Sequence, residues 1–152
     1  RLRAASDLRR EIPGVGKILA ATILGETGSV ERFASPKALG RFTGLTPSER
    51  STGGVQILGG ISREGSRYLR WAFVQAVVHC MRCKHGPGLA VGDWTRARAR
   101  KLGRGKARVA AARKLAEAIW RLFHWGERFD VAKPFGGRAV EDAGLRRQLD
   151  LT

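Results

Sequence analysis

Leu2, Ala5 and Leu8 recur at three-residue spacing among the charges of residues 1–11 and predict an amphipathic helix. Ile12-Pro13-Gly14-Val15-Gly16 stops it, because proline disfavours helix at the residue before it and the two glycines supply a tight turn. Over residues 17–26 a small apolar pattern resumes, with Ile18, Ala21, Thr22 and Leu24 expected on a closely packed face. The pattern reads helix, hairpin, helix across residues 1–27. Residues 28–34 form a connector, and Ser35-Pro36 reads as the cap and first residue of a short helix through Ala38, Leu39 and Phe42 that Gly44 ends.

Residues 46–65 lack a clean period and predict a loop or a loose hairpin, with Val55, Ile57 and Leu58 briefly extended. The next pattern is the strongest in the chain. Leu69, Ala72, Phe73, Ala76, Val77 and Cys80 form one broad apolar face, which predicts a central core helix over about residues 66–81. Lys84-His85-Gly86-Pro87-Gly88 breaks the chain again, ahead of a helix over residues 89–102. The last helix, residues 106–125, sets Ala111, Leu115, Ala118, Ile119, Leu122 and Phe123 on one face. Beyond Gly126 the chain turns polar, Lys133-Pro134-Phe135-Gly136-Gly137 reads as a breaker, and residues 126–152 are expected to form a partly disordered tail. The expected fold is all-α: a helical domain over residues 1–125 containing a helix-hairpin-helix, with a glycine-rich loop before a central core helix.

Charge adds a partner to this outline. Twenty-nine Lys and Arg against thirteen Asp and Glu leave a formal net charge of +16 in 152 residues, which self-repels unless a polyanion offsets it. Nucleic acid is the expected partner. No apolar run is long enough to span a membrane and no signal peptide opens the chain, so the expected location is cytoplasmic. The chain opens without Met in what reads as the middle of a helix, as expected of a C-terminal fragment. Cys80 and Cys83 lie among His79 and His85, but a structural zinc site wants four ligands and a second pair is absent; no metal is expected here. Cys80 on an apolar face reads as a small hydrophobe.

Candidate chemistry gathers between Arg50 and Arg70, in RSTGGVQILGGISREGSRYLR. Ser51 and Thr52 stand beside Arg50 and Gly53-Gly54, and Arg63, Arg67 and Arg70 follow at the start of the core helix. Cations there oppose the helix dipole and suit a site that an anion enters. A serine needs a base, a metal or strong charge stabilisation to act as a nucleophile, and arginines can supply the last. Ser-Thr-Gly-Gly is equally the chemistry of a plain turn. Upstream, Ile12 to Lys17 resembles the helix-hairpin-helix DNA-binding motif, which implies that Gly14, Val15, Gly16 and Lys17 receive a DNA phosphate on backbone N–H groups. The same residues also suit a turn between packed helices with no ligand. Further nucleic-acid contacts are expected from Trp94 and the run Arg96, Arg98, Arg100, Lys101, Arg104, Lys106 and Arg108, where aromatic and guanidinium planes could work together or form only a solvated basic helix. Trp71 and Trp120 are expected in core or interface.

Three blocks in order carry a wider resemblance: IPGVGKILAATILGETG, RFASPKALGRFTGLTPSE and STGGVQILGGISREGSRYLRWAFVQA. From Ile12 to about Arg82 the chain resembles the C-terminal transposase domain of the DEDD-type insertion-sequence transposases, the bridge-RNA-guided recombinases of bacteria and archaea. The resemblance implies that Ser51 is the nucleophile that becomes joined to a DNA phosphate, with Thr52 and Ser62 as rival hydroxyls. Arg50, Arg63, Arg67 and Arg70 are the candidates to hold the scissile phosphate, and each equally suits a solvated or backbone-binding basic face; Gly53, Gly54, Gly59 and Gly60 read as shape. Magnesium is expected not in this chain but in an N-terminal RuvC-like domain with four acidic residues. The partners so implied are DNA, a guide RNA and further copies of the full-length protein, in a bacterial or archaeal, nucleoid-associated setting. The rival reading is a helix-hairpin-helix module that binds DNA or RNA without chemistry.

Overall fold

The computed structural model describes residues 2–52, 55–61 and 64–136, with the backbone path alone for Leu2 and for residues 47–52 and 55–61. The fold is all-α apart from one two-stranded ribbon. In chain order the elements are α1 (Leu2–Glu11), α2 (Lys17–Thr27), a 3-10 turn (Val30–Arg32), α3 (Pro36–Phe42), β1 (Pro47–Thr52), β2 (Val55–Ile61), α4 (Arg67–Cys80), α5 (Gly86–Leu102), α6 (Arg104–Trp125) and α7 (Ala132–Phe135).

Helix α4 is the centre. Its predicted face, Leu69, Ala72, Phe73, Ala76, Val77 and Cys80, is fully buried. Helices α2, α5 and α6 all pack on it. Burying Phe73 alone contributes roughly 2–3 kcal/mol. Around it lie Leu8, Ile12, Leu19 and Ile23 from the first two helices and Ala111, Leu115 and Ile119 from α6. A smaller cluster of Val30, Leu39 and Trp120 fixes α3 against α6, and the Trp120 Nε1–H donates to the Phe33 carbonyl at 2.7 Å. Ser35 caps α3, accepting the Ala38 N–H at 3.1 Å, and Pro36 opens it.

Three expectations move. Helix α2 buries Leu19, Ala20, Ile23 and Thr27, whereas Ile18 is 73 % exposed and Ala21 faces outward. A helix apolar on nearly every side offers no period to read, so packing on α4 decided the face. Helix α5 begins at Gly86, three residues earlier than the pattern suggests, because Pro87 sits in its first turn where a missing N–H costs nothing. The expected breaker instead contains a helical turn, Ala132–Phe135, that buries Phe135 completely. The packed unit therefore reaches at least Phe135, and the expected tail over residues 137–152 lies outside the described residues.

The glycine-rich stretch pairs as an antiparallel ribbon, with Arg50 opposite Ile57, Ser51 opposite Gln56 and Thr52 opposite Val55. Between the pairs Pro47–Ile61 and Glu49–Leu58, strand β1 supplies Ser48 alone while β2 supplies Gly59 and Gly60. An extra residue there bends and twists a strand, and glycines accept it readily. The ribbon's feet touch: a Cβ on Gly65 would lie 2.2 Å from the Gly44 nitrogen, and the Ser66 N–H donates to the Phe42 carbonyl at 3.0 Å. The strands' principal contact is with each other.

Candidate nucleic-acid interface

The turn between α1 and α2 divides into an inward and an outward half. Ile12 and Val15 are buried. Gly14 has φ +78° and lies flat on α4, so that a Cβ there would sit 2.2 Å from the Ala76 carbonyl oxygen. Only glycine meets both demands. Its carbonyl lies 3.0 Å from His79 Nδ1. Gly16 and Lys17, in contrast, are exposed, with open space around Gly16. Gly16 caps α2 from extended backbone without a side-chain hydrogen bond. The N–H groups of the first turn therefore keep their capacity for an outside acceptor, at the positive end of the helix dipole. Of the four predicted turn residues, Gly14 and Val15 hold the turn to the core, and Gly16 and Lys17 face outward.

At the opposite end of α4, Ser66 caps the helix. Its Oγ accepts the Leu69 N–H at 3.3 Å and donates to Glu26 at 2.7 Å. Glu26 lies near the end of α2 while Gly14 precedes its start, so α2 and α4 run antiparallel. The α2 N-terminus consequently sits at the far end of α4 from the ribbon's feet. Fourteen helical residues separate them by about 20 Å. The phosphate-suited turn and the serine-bearing ribbon are thus two places, not one.

Arg50, Ser51 and Thr52 are the last three residues of β1, toward the ribbon's tip. Gly53, Gly54, Ser62 and Arg63 lie outside the described residues. Of the cations leading into α4, Arg67 is exposed and packs over the Tyr68 ring at 4.9 Å, with its Nη2 donating to the Tyr68 hydroxyl at 3.0 Å. That hydroxyl raises the Arg67 pKa further above its already high value. Arg70 is half-buried, and its Nη1 is enclosed without a hydrogen-bond partner. An enclosed guanidinium N–H is a donor awaiting an acceptor.

The basic run divides between α5 and α6, which meet at Gly103. Arg96 is committed to the scaffold: it pairs with Asp93 and donates to the Met81 carbonyl at 2.9 Å, answering the negative end of α4. Trp94 is committed too. Its ring meets Phe135 edge-on at 5.4 Å, with Arg98 at 5.6 Å and Lys114 at 5.4 Å over it. Burial pushes the Lys114 ammonium below the usual lysine range, Glu117 opposes that shift, and Arg113, Arg98 and Arg121 add to it. Arg100, Lys101, Arg104 and Lys106 are exposed. Arg96, Arg100, Arg104 and Arg108 line a groove of about 480 Å³ with Met81 and Ala99, and the Arg108 Nε is enclosed without a hydrogen-bond partner. Such a groove suits backbone phosphates, with no free aromatic ring for a base.

The sequence pattern missed Ile18, Tyr68 and Trp71, which are 73 %, 51 % and 48 % exposed. The signal for two of them was available, since Tyr68 and Trp71 are three apart and fall off the face set by Leu69, Ala72 and Phe73. Burial raises the Cys80 thiol to about 12, consistent with a packing role. Among the described residues no three His, Cys, Asp or Glu side chains come together. No helix among them is long and apolar enough to cross a membrane.

Residues 6–90 match the model of the "Transposase IS116/IS110/IS902 family". The chain is 31 % identical over 122 residues to the transposase for insertion sequence element IS1111A of Coxiella burnetii, covering 79 % of this chain and 34 % of that protein. It is 34 % identical over 110 residues to the transposase for insertion sequence element IS1328 of Yersinia enterocolitica, covering 72 % and 33 %. A putative transposase of Sinorhizobium fredii, y4pF/y4sB, is 33 % identical over 129 residues, covering 81 % and 32 %. The chain spans about a third of the length of these curated relatives.

Proposed function

The chain belongs to the transposase IS116/IS110/IS902 family, and we propose that it is the DNA-binding, serine-bearing part of such an enzyme, cutting and rejoining strands through a phosphoserine intermediate. In this reading the Ser51 oxygen bonds to a DNA phosphorus as the bond to a deoxyribose oxygen breaks, and that oxygen takes up a proton. A second strand's hydroxyl then reverses the exchange and frees the serine. No net phosphodiester energy is lost. The arginines stabilise charge on the phosphate, which is where most of the catalysis of phosphoryl transfer arises.

The observation that carries the reading is the ribbon itself. A stretch with little core-forming capacity is paired in defined register, with Ser51 next to last in its strand, and the chain then leads into the α4 turn that bears Arg67 and the partner-seeking Arg70. Gly16 and Lys17 at the α2 N-terminus, in the manner of a helix-hairpin-helix, would hold backbone phosphate at the other end of α4. In this reading magnesium belongs to a RuvC-like domain of the full-length protein, and no step here runs through it.

In full-length protein, Ser51→Ala is expected to bind DNA as wild type does and to form no covalent protein–DNA adduct in a denaturing-gel trap. Adduct at wild-type level would sink the serine assignment. The second reading, a module that binds DNA or guide RNA without chemistry, has one observation in its favour: Arg100, Lys101, Arg104 and Lys106 lie on α5 and α6, away from the ribbon. The same trap decides, since such a module forms no adduct with any serine.

A further inference from the structure

Between the ribbon's feet and the α2 N-terminus runs the outward face of α4, and nothing in the strand-exchange reading uses it. Tyr68, Trp71, Gln75 and His79 recur along it at three- and four-residue steps, the spacing of one helix face, and Arg67 lies four residues before Trp71. Tyr68 and Trp71 are about half exposed, and Ile18 of α2 is more so. Trp71, Gln75 and His79 join Gly16, Lys17, Ile18 and Leu19 in lining a groove of about 450 Å³. That lining holds one lysine and no carboxylate.

Leaving a tryptophan, a tyrosine and an isoleucine partly or largely exposed on one surface forfeits part of the burial that apolar side chains gain in a core. Exposed apolar side chains gathered in this way mark a binding surface. Its charge selects the partner. Cations stand at both ends, Lys17 and Arg67, with rings between them; that is the composition of a track for unpaired nucleotides, whose bases stack on aromatic faces while phosphates meet cations. A purely apolar protein partner would leave Lys17 and Arg67 without a counter-charge. The four-arginine groove on α5 and α6 differs in having no free ring, so it suits duplex backbone instead.

We propose that the α4 face bearing Tyr68 and Trp71, with Ile18, is a stacking track for an unpaired DNA strand running between the Ser51 ribbon and the α2 N-terminus. The proposal rests on the DNA-binding reading and adds to it a strand state: DNA on this face is melted, not duplex. A strand separated here would be held open over about 20 Å, the length of α4.

The test uses full-length protein and two probes, an unpaired oligothymidylate and a DNA duplex of the same length. Trp71→Ala is expected to weaken binding of the unpaired probe about tenfold, in line with the loss of one base stack, and to leave the duplex within about twofold. Trp71→Phe is expected to restore most of the loss, because a ring remains. Circular dichroism melting at the wild-type temperature would show that the fold is intact. Substituting 5-iodouracil into the unpaired probe is expected to give a photo-crosslink on Trp71 or Tyr68. Equal loss on both probes, no loss on either, or Trp71-dependent binding confined to an RNA oligonucleotide would overturn the track. If these failures leave duplex binding and the Ser51 adduct intact, the strand-exchange reading stands; if wild type binds neither probe, it falls as well.

Discussion

On the α2–α4 face Lys17 and Arg67 flank Ile18, Tyr68 and Trp71, whereas on the α5–α6 face Arg96, Arg100, Arg104 and Arg108 line a groove and Trp94 is enclosed by Phe135, Arg98 and Lys114. Both faces suit nucleic acid, but by different physics. Arginines around a groove release counterions from a phosphate backbone, an interaction blind to sequence and steep in salt. Exposed rings with a cation at each end gain most from bases that are already unstacked, and salt weakens that part less. One protein surface can therefore grip a duplex and another can hold what has come apart.

The comparison breaks most severely at the seam that holds the first face together. Gly14→Ala places a methyl group 2.2 Å from the Ala76 carbonyl oxygen at φ +78°, and is expected to cost about 4 kcal/mol in a denaturant melt. Gly16→Ala, with open space around it, should cost no more than about 1 kcal/mol. Equal costs would mean that the turn does not dock on α4 as described. Next in size, reversing Arg100 and Arg104 to Glu is expected to weaken duplex binding about a hundredfold at moderate salt and to flatten its salt dependence. The loss on the unpaired probe should be smaller, and a larger one would merge the two faces into a single site. Smallest, Lys17→Ala should reduce binding of both probes by about threefold, as removal of one phosphate contact does. An effect on one probe alone would assign Lys17 to that face only.

The sequence made α4 readable because six apolar residues at helical spacing leave no other arrangement. It also made Ser35-Pro36 readable as a helix start, since the capping hydroxyl acts within one turn. The face of α2 was not readable. Ile18 and Leu19 are adjacent and alike, and only the docking of α4 sends one to water and the other to the core. Phe135 was hidden for the opposite reason: one aromatic among Lys, Pro and Gly looks like a breaker until α5 and α6 supply its pocket. At the candidate site, composition marked Arg50 to Arg70 as unusual, and the pairing of Ser51 with Gln56 followed from strand geometry that the residues hint at only through Val55 and Ile57. Trp94 and Arg96 read as free contacts in a basic run, yet tertiary neighbours claim both. What no local pattern holds is distance. That the turn and the ribbon stand at opposite ends of one helix depends on the antiparallel docking of α2 on α4.

The contact between Gly44 and Gly65 has a consequence for the ribbon's history as well as its chemistry. Chain that leaves and re-enters a scaffold at one point adds little closure cost as it lengthens, because that cost grows only with the logarithm of loop length. Such an excursion behaves as a cassette: residues can be added, removed or exchanged between its feet while each helix keeps its neighbours. Selection can then retune the reach of the ribbon without disturbing the core.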